Sequence, residues 1–286
     1  MLTHKNCLTV VPVGGLGNRL LALFSAIHLV SIGKFDSLRV LWDVHEECNI
    51  AFEDIGTINT PHEMIHGDDL GFRSDNSWSS VGSFGSVRRG GERLNEFLPY
   101  FDGQIITTCT NFSCPQTHCD GVHPTIIDLP HANLFQFAEK HYQKANTIDV
   151  SGHIGIHCRR TDFATFVVHS EIEEGYMIFT ASDDKMINYA NSITDKLFIA
   201  TDSPYTLARL RTAVGSRLIH YPKHHYPIYS GKMVASWKPI ERSADCVVDA
   251  IIDIILLSRC TQIIAESASS FPTISSILGN IPKTVI

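Results

Sequence analysis

The chain has 286 residues, 44% of them hydrophobic and 19% charged, which exceeds one ordinary domain and supplies apolar material for two cores. A formal net charge of −7 at pH 7 excludes the broad basic footprint of nonspecific nucleic-acid binding, though not a small local positive pocket. The longest apolar run, residues 247–257, is interrupted by Asp249 and Asp253 and so is excluded as a membrane span.

In chain order, residues 7–13 read as a buried strand, followed by the turn Gly14-Gly15-Leu16-Gly17-Asn18-Arg19-Leu20 and an amphipathic helix over 18–31. Glycines there let backbone N–H groups approach an anion at a helix start. The string is neither a P-loop, having no Lys-Ser/Thr, nor a good dinucleotide fingerprint; a tight turn without a ligand is the alternative. Residues 37–43 form a second strand pattern. Residues 73–91 are rich in Ser and Gly without a period and read as a long loop. A strand is expected over 104–110 and a helix over 132–146, leading out of the first half.

The second half opens with a strand over 152–158 that runs into His157-Cys158-Arg159-Arg160-Thr161-Asp162. Adjacent arginines at a strand end are costly unless they meet an anion, and the guanidinium fork suits phosphate oxygens. An exposed charge cluster is the competing reading. A helix capped by Ser182 runs to 192. A strand over 196–200 leads into Thr201-Asp202, at the carboxyl edge where open α/β sheets bind ligands. Ser203-Pro204 then starts a helix to 213; membership of that cap is the alternative reading of Asp202. A strand over 217–221 precedes a loop, 221–229, dense in aromatic, His and Pro residues. A helix from Ser243 or Ala244 to 259 carries Asp245, Asp249 and Asp253 on one face, and Asp253 lies among isoleucines. A half-buried carboxylate there needs partners: the N1–H and N2–H₂ edge of a guanine, or an arginine or cap of a neighbouring element. A strand over 261–265, the turn Glu266-Ser267-Ala268-Ser269-Ser270 and a short helix over 271–278, capped by Gly279, complete the chain. Strands alternating with helices imply parallel sheets covered on both faces.

Cys109, Cys114, His118, Cys119 and His123 match no common structural zinc spacing and read as a His/Cys-rich loop. Cys158 reads as a strand residue. The eight cysteines are scattered as buried thiols of a reducing compartment would be, and the apolar run 8–13 stops at a glycine turn before it can serve as a signal peptide. We expect a cytoplasmic protein, of a bacterial cell or a virus-infected host cell.

In this order the segments resemble the GDP-fucose-dependent fucosyltransferase superfamily of GT-B fold, which includes α1,6-, α1,2-, nodulation and protein O-fucosyltransferases. The string HxRRTD, Ile172-Glu173-Glu174-Gly175-Tyr176-Met177, Ala200-Thr201-Asp202, and Asp253-Ile254 through Leu257-Ser258 with the following serine cluster look closest to the α1,6 branch. The resemblance implies two Rossmann-like domains facing across a cleft: residues 1–145 on the acceptor side and 146–286 binding the nucleotide sugar. It implies that Arg159 binds the donor β-phosphate and stabilises departing GDP, with His157 and Asp253 addressing guanosine. Gly15, Gly17, Asn18 and Arg19 form the glycine-turn contribution to the donor, Asp202, Ser267 and Ser269 complete that site, and Arg160 and Asp162 lie near the fucose. Where the α1,6 branch carries a carboxylate soon after HxRRTD, this chain has the apolar run 163–168.

The expected function is glycan biosynthesis: displacement at an anomeric carbon, most directly transfer of L-fucose from GDP-fucose to a glycan hydroxyl. The candidate bases are Asp162 first, then Glu171 or Glu173, then Asp43 or Glu46. The chain contains no Asp-x-Asp, so an arginine is expected in place of a divalent ion, with no cofactor, no nucleic acid and no membrane span. The alternatives are another nucleotide sugar on the same scaffold (another GDP-sugar or UDP-xylose), or a noncatalytic carbohydrate- or nucleotide-binding module. A zinc-containing nucleic-acid protein is opposed by the acidic charge.

Overall fold

A computed structural model describes residues 7–12, 14–44, 48–66, 104–108, 129–160, 171–173, 176–178, 180–224, 226, 242–266 and 269–286, with 104–108, 171–173, 176–178 and 180–182 described by their backbone alone. The chain divides into two compact units, Met1–Ala138 and Glu139–Ile286.

In the first unit, strand β1 (Cys7–Pro12) is buried along its whole length, as a continuous apolar run in a parallel sheet requires. Helix α1 (Leu16–Ser31) leads to β2 (Ser37–Trp42), α2 (Phe52–Ile55), β3 (Gly56–Ile58) and β4 (His62–His66). Then follow β5 (Gln104–Thr108), a 3-10 turn at Pro130–Leu134 and β6 (Phe135–Phe137). The main sheet is parallel in the order β4-β2-β1-β5, and β3 pairs antiparallel with β6. Its largely aliphatic core holds a cluster of aromatic rings: Phe135 contacts Phe24 at 5.5 Å and Phe137 edge-on at 5.1 Å between ring centroids, while Phe52 lies 5.3 Å from Trp42.

The second unit begins with α3 (Glu139–Ala145), β7 (Ile154–Cys158) and an antiparallel pair, β8 (Glu171–Glu173) and β9 (Tyr176–Ile178). It continues as α4 (Thr180–Ser192), β10 (Leu197–Thr201), α5 (Pro204–Val214), β11 (Leu218–His220), α6 (Ala244–Leu257), β12 (Gln262–Ala265), α7 (Ser270–Gly279) and β13 (Lys283–Val285). Five parallel strands run in the order β11-β10-β7-β12-β13. Chain order reverses between β7 and β12, and at such a switch point the two strand ends diverge and leave a crevice at their carboxyl edge.

Two helix starts follow the sequence reading, since Ser203 Oγ accepts from Thr206 N–H at 3.3 Å and Ser243 Oγ from Cys246 N–H at 3.2 Å. Four features differ from it. Helix α4 begins at Thr180, so Ser182 lies inside the helix and is not its cap. The helix expected over 132–146 divides into the 3-10 turn, β6 and α3, because Phe135 and Phe137 alternate into the aromatic cluster. Helix α3 belongs with the second unit, which moves the boundary from 145 to 138. The left-handed residue ending α7 is Asn280 (φ 48°) rather than Gly279. Among the described residues, Cys7, Cys158, Cys246 and Cys260 are free thiols, and no helix is long and apolar enough to cross a membrane.

Candidate functional site

The carboxyl edge of β7 is built by three carboxylates around an arginine. Register places His157 between Ala200 of β10 and Ala265 of β12, so the chain leaves β7 directly at the switch point. The Arg160 N–H donates to Asp202 Oδ1 at 2.6 Å, which fixes the backbone just beyond the strand. Asp202 therefore braces this edge, and the helix cap falls to Ser203. The Arg160 side chain is only 3% exposed. It donates to Asp183 Oδ1 from Nε at 3.0 Å and from a terminal nitrogen at 2.9 Å, to Glu266 Oε1 at 2.7 Å, and to the Arg159 carbonyl at 3.1 Å; its other terminal nitrogen pairs with Glu266 Oε2. Arg209 and the Thr206 hydroxyl also hold Asp183. Burial opposes the Arg160 charge, but the Glu266 hydrogen bond and the surrounding carboxylates raise its pKa above the usual arginine value. The anion that stabilises Arg160 is thus internal, and its guanidinium spans α4, β7 and β12 instead of reaching toward a sugar. Arg159 beside it is half-buried.

His157 is buried and its ring stacks on Phe271 of α7, with centroids 4.9 Å apart and planes at 20°. Burial lowers its pKa to about 3, with the positive charges of Arg159, Lys223 and Arg160 acting in the same direction against Asp202. The imidazole is therefore neutral at physiological pH, with one nitrogen donating and one accepting. Cys158 is fully buried, and burial drives its thiol pKa far above the ordinary range, which removes it as a nucleophile.

Asp253, 2% exposed, projects from α6 among Ile251, Ile252, Ile254 and Ile255. Its Oδ2 forms an ion pair with Lys223, whose Nζ also donates to the Thr201 carbonyl at 2.6 Å, while Oδ1 is buried with no partner among the described residues. The cation that Asp253 demanded is thus a lysine from the aromatic loop after β11, a residue the sequence reading did not single out. Ser269 precedes α7, and its hydroxyl is likewise buried without a partner among the described residues. It lies at the start of a helix whose first turn holds no acidic residue, a setting that favours an anion.

In the first unit, Gly14 takes φ 83°, a conformation that favours glycine, and Gly15 precedes α1 without side-chain capping. Gly17 is buried and Asn18 half-buried in the first turn of α1. Arg19 is committed locally: Nε donates to the Gly14 carbonyl at 2.7 Å, a terminal nitrogen donates to the Asp43 carbonyl, and the guanidinium lies 5.0 Å from the Trp42 ring centroid. It holds the turn against the end of β2 in place of the donor contact expected of it. Of the candidate bases, Glu171 and Glu173 lie at the two ends of β8 and Asp43 directly follows β2. Asp162, Glu46, Ser267 and the Cys/His cluster at 109–123 lie outside the described residues. Among the described residues, no group of three or more His, Cys, Asp or Glu side chains is arranged to hold a metal ion.

No family model matches the chain, and no curated protein matches it in sequence. Solved structures do match. Fucosyltransferase NodZ from Bradyrhizobium superposes with a TM-score of 0.53 at 17% identity, over 96% of this chain and 94% of that one. The NodZ α1,6-fucosyltransferase has also been solved soaked with GDP-fucose. POFUT1 in complex with GDP-fucose gives 0.53 at 9% identity, over 98% of each chain. A point mutant of Arabidopsis thaliana FUT1 in complex with GDP gives 0.56 at 13%, over 97% of this chain and 69% of that one. Identities this low establish architecture: the chain has the α/β fold of the GT-B fucosyltransferases, as its motifs led us to expect.

Proposed function

We propose that the chain is a glycosyltransferase that moves L-fucose from GDP-fucose to a glycan hydroxyl by metal-independent displacement. One observation carries the reading. The edge at which β7, β10 and β12 end presents Arg159 together with two buried polar atoms that have no partner among the described residues, an acceptor at Asp253 Oδ1 and a hydroxyl at Ser269. A buried unpaired polar atom costs about 1–3 kcal/mol, so each favours a ligand that satisfies it. The Asp253 oxygen suits the N–H edge of guanine, with neutral His157 beside the nucleoside. Ser269 and the start of α7, with Ser267 and Asp202, suit the diphosphate.

As the anomeric C–O bond breaks, negative charge grows on the leaving β-phosphate, and the Arg159 fork meets it with two N–H donors. One such donor lowers a barrier by about 3 kcal/mol. Asp162 is the first candidate to take the acceptor's proton, with Glu171 or Glu173 next. The test is GDP release from GDP-fucose in EDTA, by the parent and by Arg159→Lys, which keeps the charge and loses the fork. The parent is expected to turn over in EDTA, and the variant to lose about 10²-fold while keeping its melting temperature. A loss in EDTA restored by Mg²⁺ or Mn²⁺ would refute the metal-free step, and parent-like turnover of Arg159→Lys would remove Arg159 from it. A noncatalytic binding module is the second reading, favoured by the apolar run 163–168; it predicts that GDP-fucose binds and no GDP is released.

A further inference from the structure

We propose that Lys223 is the positioning residue that keeps Asp253 a charged, single-oxygen acceptor for the guanine edge; this deepens the GDP-sugar reading and rests on it. The argument begins with the two oxygens of one carboxylate. Lys223 Nζ pairs with Oδ2 and is anchored by the Thr201 carbonyl at 2.6 Å, so it ties α6 to the end of β10. This leaves Oδ1 as the acceptor a ligand can use. The neighbouring isoleucines on α6 supply no donor to it, and Oδ1 has no partner among the described residues.

The polarity of that oxygen depends on charge. Ionised, Asp253 accepts from guanine N1–H or N2–H. Protonated, it can place its own O–H against those donors, and the match is lost. Burial raises the Asp253 pKa to about 6, with Lys223 counteracting through its charge and hydrogen bond, and Asp249 and Asp202 raising it further. Burial also opposes the charge on Lys223, yet Asp253 and Asp202 hold its pKa above the usual lysine value. Tyr221 faces both Asp249 and Asp253 from the segment after β11. Of the helices packed on α6, α7 carries no ionisable side chain, and α3 brings Glu139, Lys140, His141, Tyr142 and Lys144. Removing the ammonium leaves a buried carboxylate among other carboxylates, and neutral pH then favours its protonated form.

The experiment is calorimetry of GDP binding between about pH 5 and 8.5, with the parent, Lys223→Met, Lys223→Gln and Lys223→Arg. Asp253 must be ionised to bind, so the parent's affinity should be flat above neutrality and fall as pH drops through about 6. The GDP phosphate titrates near the same pH in every variant, so the difference from the parent isolates Asp253. In Lys223→Met and Lys223→Gln the midpoint should rise by about two units, making GDP roughly tenfold weaker at pH 7 and recovering toward alkaline pH. Lys223→Arg should keep the parent's profile. If Lys223→Met fails to fold, Lys223→Gln decides, because its amide retains a donor for Thr201 and Asp253 without the charge. An unmoved midpoint, or a weakening equal at all pH values, would overturn the proposal and leave Lys223 only as a fastener of the fold. Absence of GDP binding by the parent would instead overturn the GDP-sugar reading, and this proposal with it.

Discussion

Arg159 and Arg160 are neighbours in sequence, yet they are buried to different degrees, Arg159 by half and Arg160 almost fully. Arg160 sits between Asp183, 23 positions away, and Glu266, 106 positions away, and sequence adjacency carries no trace of either partner. The sequence therefore revealed that an arginine pair needed anions without showing that one of the pair finds them inside the protein. Asp253 was legible for the opposite reason: a carboxylate among isoleucines on a helix is conspicuous, although its cation, Lys223, comes from a loop with no readable period. Losing one partner of a buried pair leaves uncompensated charge, at a cost of about 3–5 kcal/mol. We therefore expect Arg160→Met to destabilise the ligand-free protein by about that amount in denaturant unfolding, whereas Arg159→Lys should leave stability close to the parent's. An Arg160→Met protein as stable as the parent, and impaired only in nucleotide binding, would return Arg160 to the ligand site.

Among the elements, the strands and helices that lead into the candidate site were largely legible, since their ends carry strong local signals: β1 stops at a glycine turn, and α5 and α6 start at Ser203 and Ser243. The strands β3, β4, β6 and β13 were not, because they lack the continuous apolar run that marks equally short strands such as β10 and β12. The end of α7 shows how a correct residue can be given the wrong reason. Gly279 was read as the cap, but Asn280 adopts the left-handed conformation, and Gly279 is needed because a Cβ there would lie 2.0 Å from the Ser258 carbonyl oxygen. Backbone cannot swing aside as a side-chain tip does, so Gly279→Ala should cost about 1–3 kcal/mol through displacement of α7 from the end of α6. Asn280→Gly, which suits a left-handed position, should cost nothing measurable. Equal and small effects at the two positions, by thermal unfolding, would show that the close approach is not real.

At the scale of the whole molecule, each unit repeats one device. In chain order both sheets read third, second, first, fourth, and the second adds a fifth strand. In each, the strand at the reversal, β1 or β7, is the one followed by a motif conspicuous in the sequence: the glycine turn in the first unit, the arginine pair in the second. The alternation of strands and helices predicted parallel sheets, but strand order is a long-range property of packing that no local pattern encodes. The central claim is that the second of these switch points reads a guanosine diphosphate. Calorimetry of the ligand-free protein with GDP and with UDP tests it most directly, alongside Asp253→Asn. An amide keeps one acceptor and turns a donor toward the base, a mismatch of about 1–3 kcal/mol. We predict that GDP binds the parent far more tightly than UDP, and that Asp253→Asn weakens GDP by that amount while UDP hardly changes. Equal affinity of the parent for GDP and UDP would contradict the guanine assignment and the case for a GDP-sugar donor.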